Sequence, residues 1–162
     1  MKRTTIGVTL GLVLSLVLGA PIALAEDPPH PSMTFTDIKL KDDFSKIKIR
    51  AELSLFTLAP QEDFLVCVGL ANNANGESAF TCVDLGTGEV TAGGGGTQVL
   101  TITTVKLKKK KGNLTEIKLK VDIGGMTPTQ LSDVTVSLGI QNTVNGENAF
   151  AQGPAATITV PD

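Results

Sequence analysis

Residues 69–80 read GLANNANGESAF and residues 139–150 read GIQNTVNGENAF, with seven of the twelve positions identical at an offset of 70. The match continues upstream, where residues 47–53 (IKIRAEL) correspond to residues 117–123 (IKLKVDI) at the same offset. We interpret the chain as an internal duplication. A repeated unit of this length indicates the architecture of a protein and does not by itself indicate its function.

Both copies alternate apolar and polar residues, which is typical of half-buried strands. In the first copy, one side of the predicted strand is expected to carry Ile47, Ile49, Ala51, Leu53 and Leu55, and the other side Lys48, Arg50, Glu52 and Ser54. A helix would need apolar residues at spacings of three and four, and no segment after Ala25 has them. We therefore expect about four strands in each copy and no helix.

Each copy contains an Asn-Gly pair between two apolar runs, namely Asn75-Gly76 and Asn145-Gly146. Both residue types tolerate a positive φ, which a tight hairpin turn demands. The sequence therefore predicts one hairpin at each pair.

Two cysteines, Cys67 and Cys82, flank the first of these turns. Thiols of exported proteins are usually oxidised, so we expect a disulfide between them. Pairing them across the hairpin also places Val66 opposite Val83, which gives a mostly apolar inner face. The second copy has Ser137 and Gln152 at the corresponding positions, so the fold does not require the bridge.

The stretch from Met1 to Ala25 has the features of an export signal: a positive start, an apolar run and the small-residue site Ala23-Leu24-Ala25. We expect cleavage after Ala25 and a location in the periplasm or the medium. The expected segments are a signal peptide at 1–25, a proline-rich lead at 26–32 and a β-domain at 33–162. Within the domain we expect repeat one at 33–90, a glycine-rich linker at 91–97 and repeat two at 98–160.

The expected fold is all-β: one antiparallel β-sandwich of eight to ten strands with immunoglobulin-like packing of two sheets. A single copy of about 60 residues buries too little surface to be stable easily, which favours two copies that share one core. Two separate domains joined by the glycine run are the alternative.

The residue types present argue against an enzyme. Nucleophilic catalysis needs a base, and the single histidine, His30, lies in the proline-rich lead. One histidine and two paired cysteines do not make a zinc site, and each Asn-rich turn offers one carboxylate, which is few for calcium. The chain has no Trp or Tyr with which to stack on sugars or bases. We expect neither a catalytic site nor a cofactor.

Charge is segregated along the chain. After Ala25, 12 Lys and Arg stand against 16 Asp and Glu, a net charge of −4, and every basic residue lies in 39–50 or 106–120. The densest cluster, a candidate anion-binding patch, contains Lys106, Lys108, Lys109, Lys110 and Lys111. A lysine run of this kind also keeps an edge strand soluble.

Two functions remain open. The first is an exported, non-enzymatic structural or interaction domain, whose partner is a protein: a second copy or another envelope component. In that role, the basic hairpin of one molecule would meet an acidic hairpin of the next. The second is a binding module for an anionic polymer or envelope glycan, favoured if both basic hairpins lie on one continuous face. A nucleic-acid partner is not expected. A membrane span is not expected either, because every apolar run after Ala25 is far shorter than a span requires.

Overall fold

The computed structural model of the chain describes residues 30–41, 44–127 and 133–155, and these residues form nine strands. The strands are β1 (Ser32–Leu40), β2 (Lys46–Thr57), β3 (Phe64–Asn72), β4 (Glu77–Asp84), β5 (Val90–Gly95), β6 (Val99–Lys110), β7 (Asn113–Gly124), β8 (Val134–Asn142) and β9 (Asn148–Pro154). Four strands form sheet 1, in the order β1-β2-β7-β6, and five form sheet 2, in the order β5-β4-β3-β8-β9. All neighbouring strands are antiparallel.

The prediction of an all-β chain with two antiparallel sheets is confirmed. A 3-10 turn, Gln61–Asp63, carries the chain from β2 to β3. The expected signal peptide at 1–25 lies outside the described residues, as does the end of the expected repeat two after Ala155.

Strands whose sequences match at an offset of 70 meet at the centre of each sheet. In sheet 1, β2 pairs with β7 and Ile49 lies opposite Leu119. In sheet 2, β3 pairs with β8 and Val68 lies opposite Leu138. The two members of each pair are separated by 70 residues, which is the offset of the sequence match. Buried side chains of both sheets form one hydrophobic cluster, to which β2, β3, β7 and β8 all contribute.

The predicted alternation in β2 holds for most of the strand and fails at its end. Ile47, Ile49 and Ala51 are buried, as expected. Leu55 was predicted to be buried but is 54% exposed, and this prediction is wrong. The pairing of β2 with β7 shifts between Glu52 and Phe56, and Leu55 has a φ of 59°. This bulge reverses the alternation, so Phe56 fills the core instead.

The hairpin of β3 and β4 has the predicted register. Cys67 lies opposite Cys82, and Val66 lies opposite Val83. The two cysteine Sγ atoms are 2.10 Å apart and form a disulfide. The apolar pattern and the cysteine pair each specify this register, because a slip of one residue would move the apolar side chains to the other face.

The Asn-Gly pairs lie in hairpin loops, but the loops are longer than predicted. Four residues separate the paired Asn72 and Glu77. The glycines Gly76 and Gly146 have a φ of 76°, whereas the asparagines before them do not have positive φ. The tight two-residue turn is therefore corrected to a longer loop in both copies, with the left-handed conformation at glycine alone.

Two buried asparagines that the sequence reading overlooked organise these loops. In the first, Asn72 Oδ1 accepts a hydrogen bond of 3.1 Å from the Ala74 N–H. In the second, Asn142 Oδ1 accepts bonds from the N–H groups of Val144 and Asn145, at 2.9 and 3.2 Å. Each asparagine carbonyl also accepts the N–H of the loop glycine, at 2.9 Å in both copies. Because both asparagines are buried, their bonds replace those that water would make.

The predicted linker at 91–97 needs correction, since most of it belongs to strand β5. Residues Val90–Gly95 pair with β4. A Cβ at Gly93 would lie 2.8 Å from Cε1 of Phe80, and one at Gly94 would collide with the Ser78 carbonyl oxygen. Glycine is thus required by close packing against β4, and the run is an edge strand rather than a free linker.

We expect Asn72→Ala and Asn142→Ala each to lower the free energy of unfolding by about 0.5–1.5 kcal/mol, because each removes the hydrogen bonds that a buried side chain accepts from N–H groups of its loop. Urea denaturation measures the change. Asn148→Ala is the control, since the Asn148 amide is exposed and donates only a 3.4 Å bond to the Gly146 carbonyl. Equal losses in all three variants would contradict the role of the two buried asparagines.

The double variant Cys67→Ser with Cys82→Gln reproduces the Ser137 and Gln152 pair of the second hairpin, where the same two positions lie opposite each other without a bridge. We expect this variant to fold, with a free energy of unfolding about 2–3 kcal/mol below that of the wild type, because the bridge closes a loop with a sequence separation of 15. Circular dichroism and urea denaturation test both parts. Loss of the β signal in native buffer would show that the fold needs the bridge.

Candidate functional site

The outer side of sheet 1, which faces away from the core, carries most of the positive charge of the chain. Alternation places the buried side chains of β2 and β7 on the inner side, so the intervening lysines point outward. We define the cationic face by its basic residues: Lys39, Lys46, Lys48, Arg50, Lys106, Lys108, Lys118 and Lys120. The acidic residues on it are fewer: Asp37, Glu52, Glu116 and Asp122.

Lysines lie directly opposite one another across the strands of this face. Lys39 of β1 pairs with Lys48 of β2, and Lys48 pairs with Lys120 of β7. Cβ atoms of directly opposite residues are about 4.5–5.5 Å apart, and like charges in such pairs are destabilising. The fold therefore maintains a row of cations against their mutual repulsion.

Part of this positive charge is left without a counter-ion. Within the described ranges, Lys48, Lys106 and Lys120 form no ion pair. A shallow depression of about 260 Å³ lies between them, and Lys118 and Thr104 also line it. Five basic residues and one acidic residue, Asp37, line this space, so its excess of positive charge suits a phosphate, sulfate or carboxylate group.

One carboxylate, Glu116, lies within the cationic face and orders it. Glu116 is 5% exposed. Its Oε2 accepts hydrogen bonds from Arg50 Nε at 3.0 Å and Arg50 Nη2 at 2.7 Å, and its Oε1 lies 3.1 Å from Lys118 Nζ. The carboxylate joins the basic side chains of β2 and β7 and holds the arginine in one orientation.

Burial of the carboxylate by itself raises the pKa of Glu116, but hydrogen bonds and charge from Arg50 and Lys118 outweigh it and leave that pKa below its ordinary value. The same contact raises the pKa of Arg50. Glu116 is therefore ionised at neutral pH.

The structure divides the predicted lysine patch in two. Lys106 and Lys108 lie on the cationic face, where Lys106 pairs with Lys118. Lys109 and Lys110 end strand β6, and Lys111 lies in the turn that follows, with a φ of 49°. These last three form the exposed tip of the β6–β7 hairpin. The second basic hairpin, β1–β2, lies beside β7, so both basic hairpins share one face.

The other predicted positions lie away from this face. Cys67 and Cys82 lie on the outer side of sheet 2, and the Asn-Gly pairs lie in loops at the ends of sheet 2. Sequence reasoning missed Glu116, although its place in the alternation of β7 puts it on the same side as Lys118 and Lys120. The described residues contain no group of three or more His, Cys, Asp or Glu able to hold a metal ion.

Comparison with known proteins does not identify a family: no family model matches the chain, and no curated protein is significantly similar to it. Across the described ranges, the chain forms no helix with the length and apolar character needed to cross a membrane.

We expect Glu116→Gln to lower the free energy of unfolding at pH 7 by about 1–2 kcal/mol, because it removes a charge-assisted contact between β2 and β7. The folded-state pKa is lowered, so the carboxylate stabilises the fold above its unfolded-state pKa. The difference in the free energy of unfolding between the wild type and Glu116→Gln should therefore vanish as pH falls through the folded-state pKa of Glu116. Urea denaturation between pH 7 and pH 2 measures it.

Glu52→Gln is the matched control, because Glu52 lies directly opposite Glu116 on β2 and forms no ion pair in the described structure. It should leave stability at pH 7 nearly unchanged or slightly higher, since it removes a like charge. A loss equal to that of Glu116→Gln would contradict the assignment.

Proposed function

We propose that the protein is an exported, non-enzymatic module that binds an extended anionic polymer, such as an acidic or phosphate-bearing envelope glycan, through the cationic face. The observation that carries this proposal is the pairing of β2 with β7. That pairing brings the two basic hairpins side by side and sets Lys48 opposite Lys120. Lysines that serve only solubility have no need to face one another.

The spacing of the cations suits a polymer better than a single small anion. Neighbouring strands lie about 4.8 Å apart, so a chain crossing sheet 1 meets a basic side chain about every 5 Å. The row from Lys39 through Lys48 to Lys120 supplies one such path. The neighbouring row from Arg50 through Lys118 to Lys106 supplies a second.

The role of Glu116 in this proposal is to position Arg50 and Lys118. A carboxylate that accepts two bonds from Arg50 fixes the guanidinium before any ligand arrives. Preorganised donors reduce the entropy lost on binding. Lys48, Lys106 and Lys120 then supply the charge that a polymer neutralises.

The proposal includes the architecture inferred from the sequence. Two tandem copies would form one antiparallel sandwich with immunoglobulin-like packing. The equal offset of 70 in the Ile49–Leu119 and Val68–Leu138 pairs supports this reading. Export is supported by the pattern of residues 1–25 and by the disulfide, which is typical of oxidising compartments.

Retention on immobilised heparin tests the proposal. The wild type should be retained and should elute with salt, because binding releases counter-ions. In the face variant, Lys48→Gln, Lys106→Gln and Lys120→Gln, we expect weaker retention, with the slope of log affinity against log salt shallower by roughly two to three units. Neutral dextran should retain neither protein.

The matched control removes three charges from the hairpin tip: Lys109→Gln, Lys110→Gln and Lys111→Asn, the last because asparagine tolerates the positive φ there. This tip variant should lose less affinity than the face variant. Equal losses would mean that net charge alone matters, and elution of the wild type at low salt would reject polymer binding. Either result would favour the structural or protein-interaction role.

A further inference from the structure

We infer that two copies of this chain associate through the outer side of sheet 2, face to face. This surface is separate from the cationic face, because it belongs to the other sheet. It differs from the cationic face in charge and in shape. These two properties determine which kind of partner can bind to it.

The centre of this surface carries no charge. Two rows of outward residues cross the five strands, and we call them the uncharged face. One row consists of Gly93, Phe80, Gly69, Ser137 and Gln152, and the other of Thr91, Cys82, Cys67, Gly139 and Phe150. Neither row contains an ionisable side chain, so these residues cannot form ion pairs with a charged partner. A partner that fits this face is therefore uncharged where it makes contact.

Two phenylalanine rings stand out from this surface. Phe80 is 44% exposed and Phe150 is 60% exposed, and they occupy equivalent positions of the two copies. Each ring lies over a glycine of the adjacent strand: a Cβ at Gly93 would lie 2.8 Å from Phe80, and one at Gly139 would lie 3.8 Å from Phe150. Aromatic residues are enriched in interface cores, where well-packed rings contribute much of the binding free energy.

A depression lies beside each ring. The one at Phe150 has a volume of about 230 Å³ and is lined by Cys67, Gly139 and Leu65, among others. The one at Phe80 has about 210 Å³ and is lined by Gly69 and Ser137, among others. One surface thus presents both rings and hollows. A second copy related by a two-fold axis can place its rings in the hollows of the first, which is the self-complementarity that such a contact requires.

The area of the surface is sufficient for a dimer. Five strands about 4.8 Å apart, each contributing about eight residues at about 3.3 Å, give the whole outer side of sheet 2 roughly 600 Å², with the uncharged face at its centre and Asp84 at one end. Two copies would therefore bury about 1,200 Å², at the lower end of specific interfaces. The cationic faces repel each other and cannot provide such a contact. We expect a reversible dimer with a dissociation constant in the micromolar range or weaker.

Sedimentation equilibrium across a concentration series gives the first test. We expect the mass to rise from monomer to dimer, and the dissociation constant to stay constant or fall as salt increases, because the contact is apolar. A monomer at every concentration would overturn the inference. A dimer that dissociates with salt would also overturn it and would favour contact between basic and acidic hairpins.

Charge placed on the uncharged face gives the second test. Phe80→Glu and Phe150→Glu should each weaken dimerisation by about 30-fold, as for a hot-spot residue. Val144→Glu is the matched control, because Val144 is 75% exposed but lies in the β8–β9 loop, outside the face. The control should dimerise like the wild type. Equal weakening in all three variants would overturn the assignment of the face.

The chain has no Trp or Tyr, so one introduced tryptophan reports its own environment. The emission of Phe150→Trp should shift to shorter wavelength over the same concentration range in which the mass doubles. Emission from Val144→Trp should not move. A doubled mass without a shift at position 150 would place the dimer contact elsewhere and overturn the inference.

Discussion

The antiparallel pairing of β2 with β7 and of β3 with β8 is the constraint on which the remaining structure depends. It sets Ile49 opposite Leu119 and Val68 opposite Leu138, so each sheet is joined at its centre by strands that are distant in the sequence. A segment of about 60 residues could not bury these central strands by itself, because a unit of that size covers too little of its surface. The same pairing fixes which polar residues meet on the outer sides of both sheets.

Local features were predictable because local patterns determine them. Alternation identified the buried side of β2, and the cysteine pair gave the register of β3 with β4, with Cys67 opposite Cys82. Both signals act within one hairpin, where a single slip would expose apolar side chains to water. The basic residues of the candidate site could also be named from the sequence, since they cluster along the chain.

Features that depend on distant residues or on local backbone conformation were not predicted from the sequence. The bulge at Leu55 depends on how β2 meets β7, and the strand at Val90–Gly95 depends on Phe80 covering Gly93. Glycine runs predict flexibility only when no neighbouring strand packs against them. Asn72 and Asn142 were overlooked because the more familiar Asn-Gly signal follows them, although these two buried asparagines accept the hydrogen bonds of their loops.

The order of charged residues along the chain explains why the two outer surfaces differ so strongly. The basic segments 39–50 and 106–120 lie in or beside strands of sheet 1, whereas the strands of sheet 2 contain no Lys or Arg. The antiparallel pairing of β2 with β7 brings the two basic segments together, and the pairing of β3 with β8 brings together two segments without Lys or Arg. Like charges are thereby concentrated on one surface, and uncharged residues on the other. Glu116 relieves part of the resulting repulsion by binding Arg50 and Lys118, while Lys48 and Lys120 form no ion pair among the described residues. The segregation of charge along the chain thus becomes a segregation of surfaces in space.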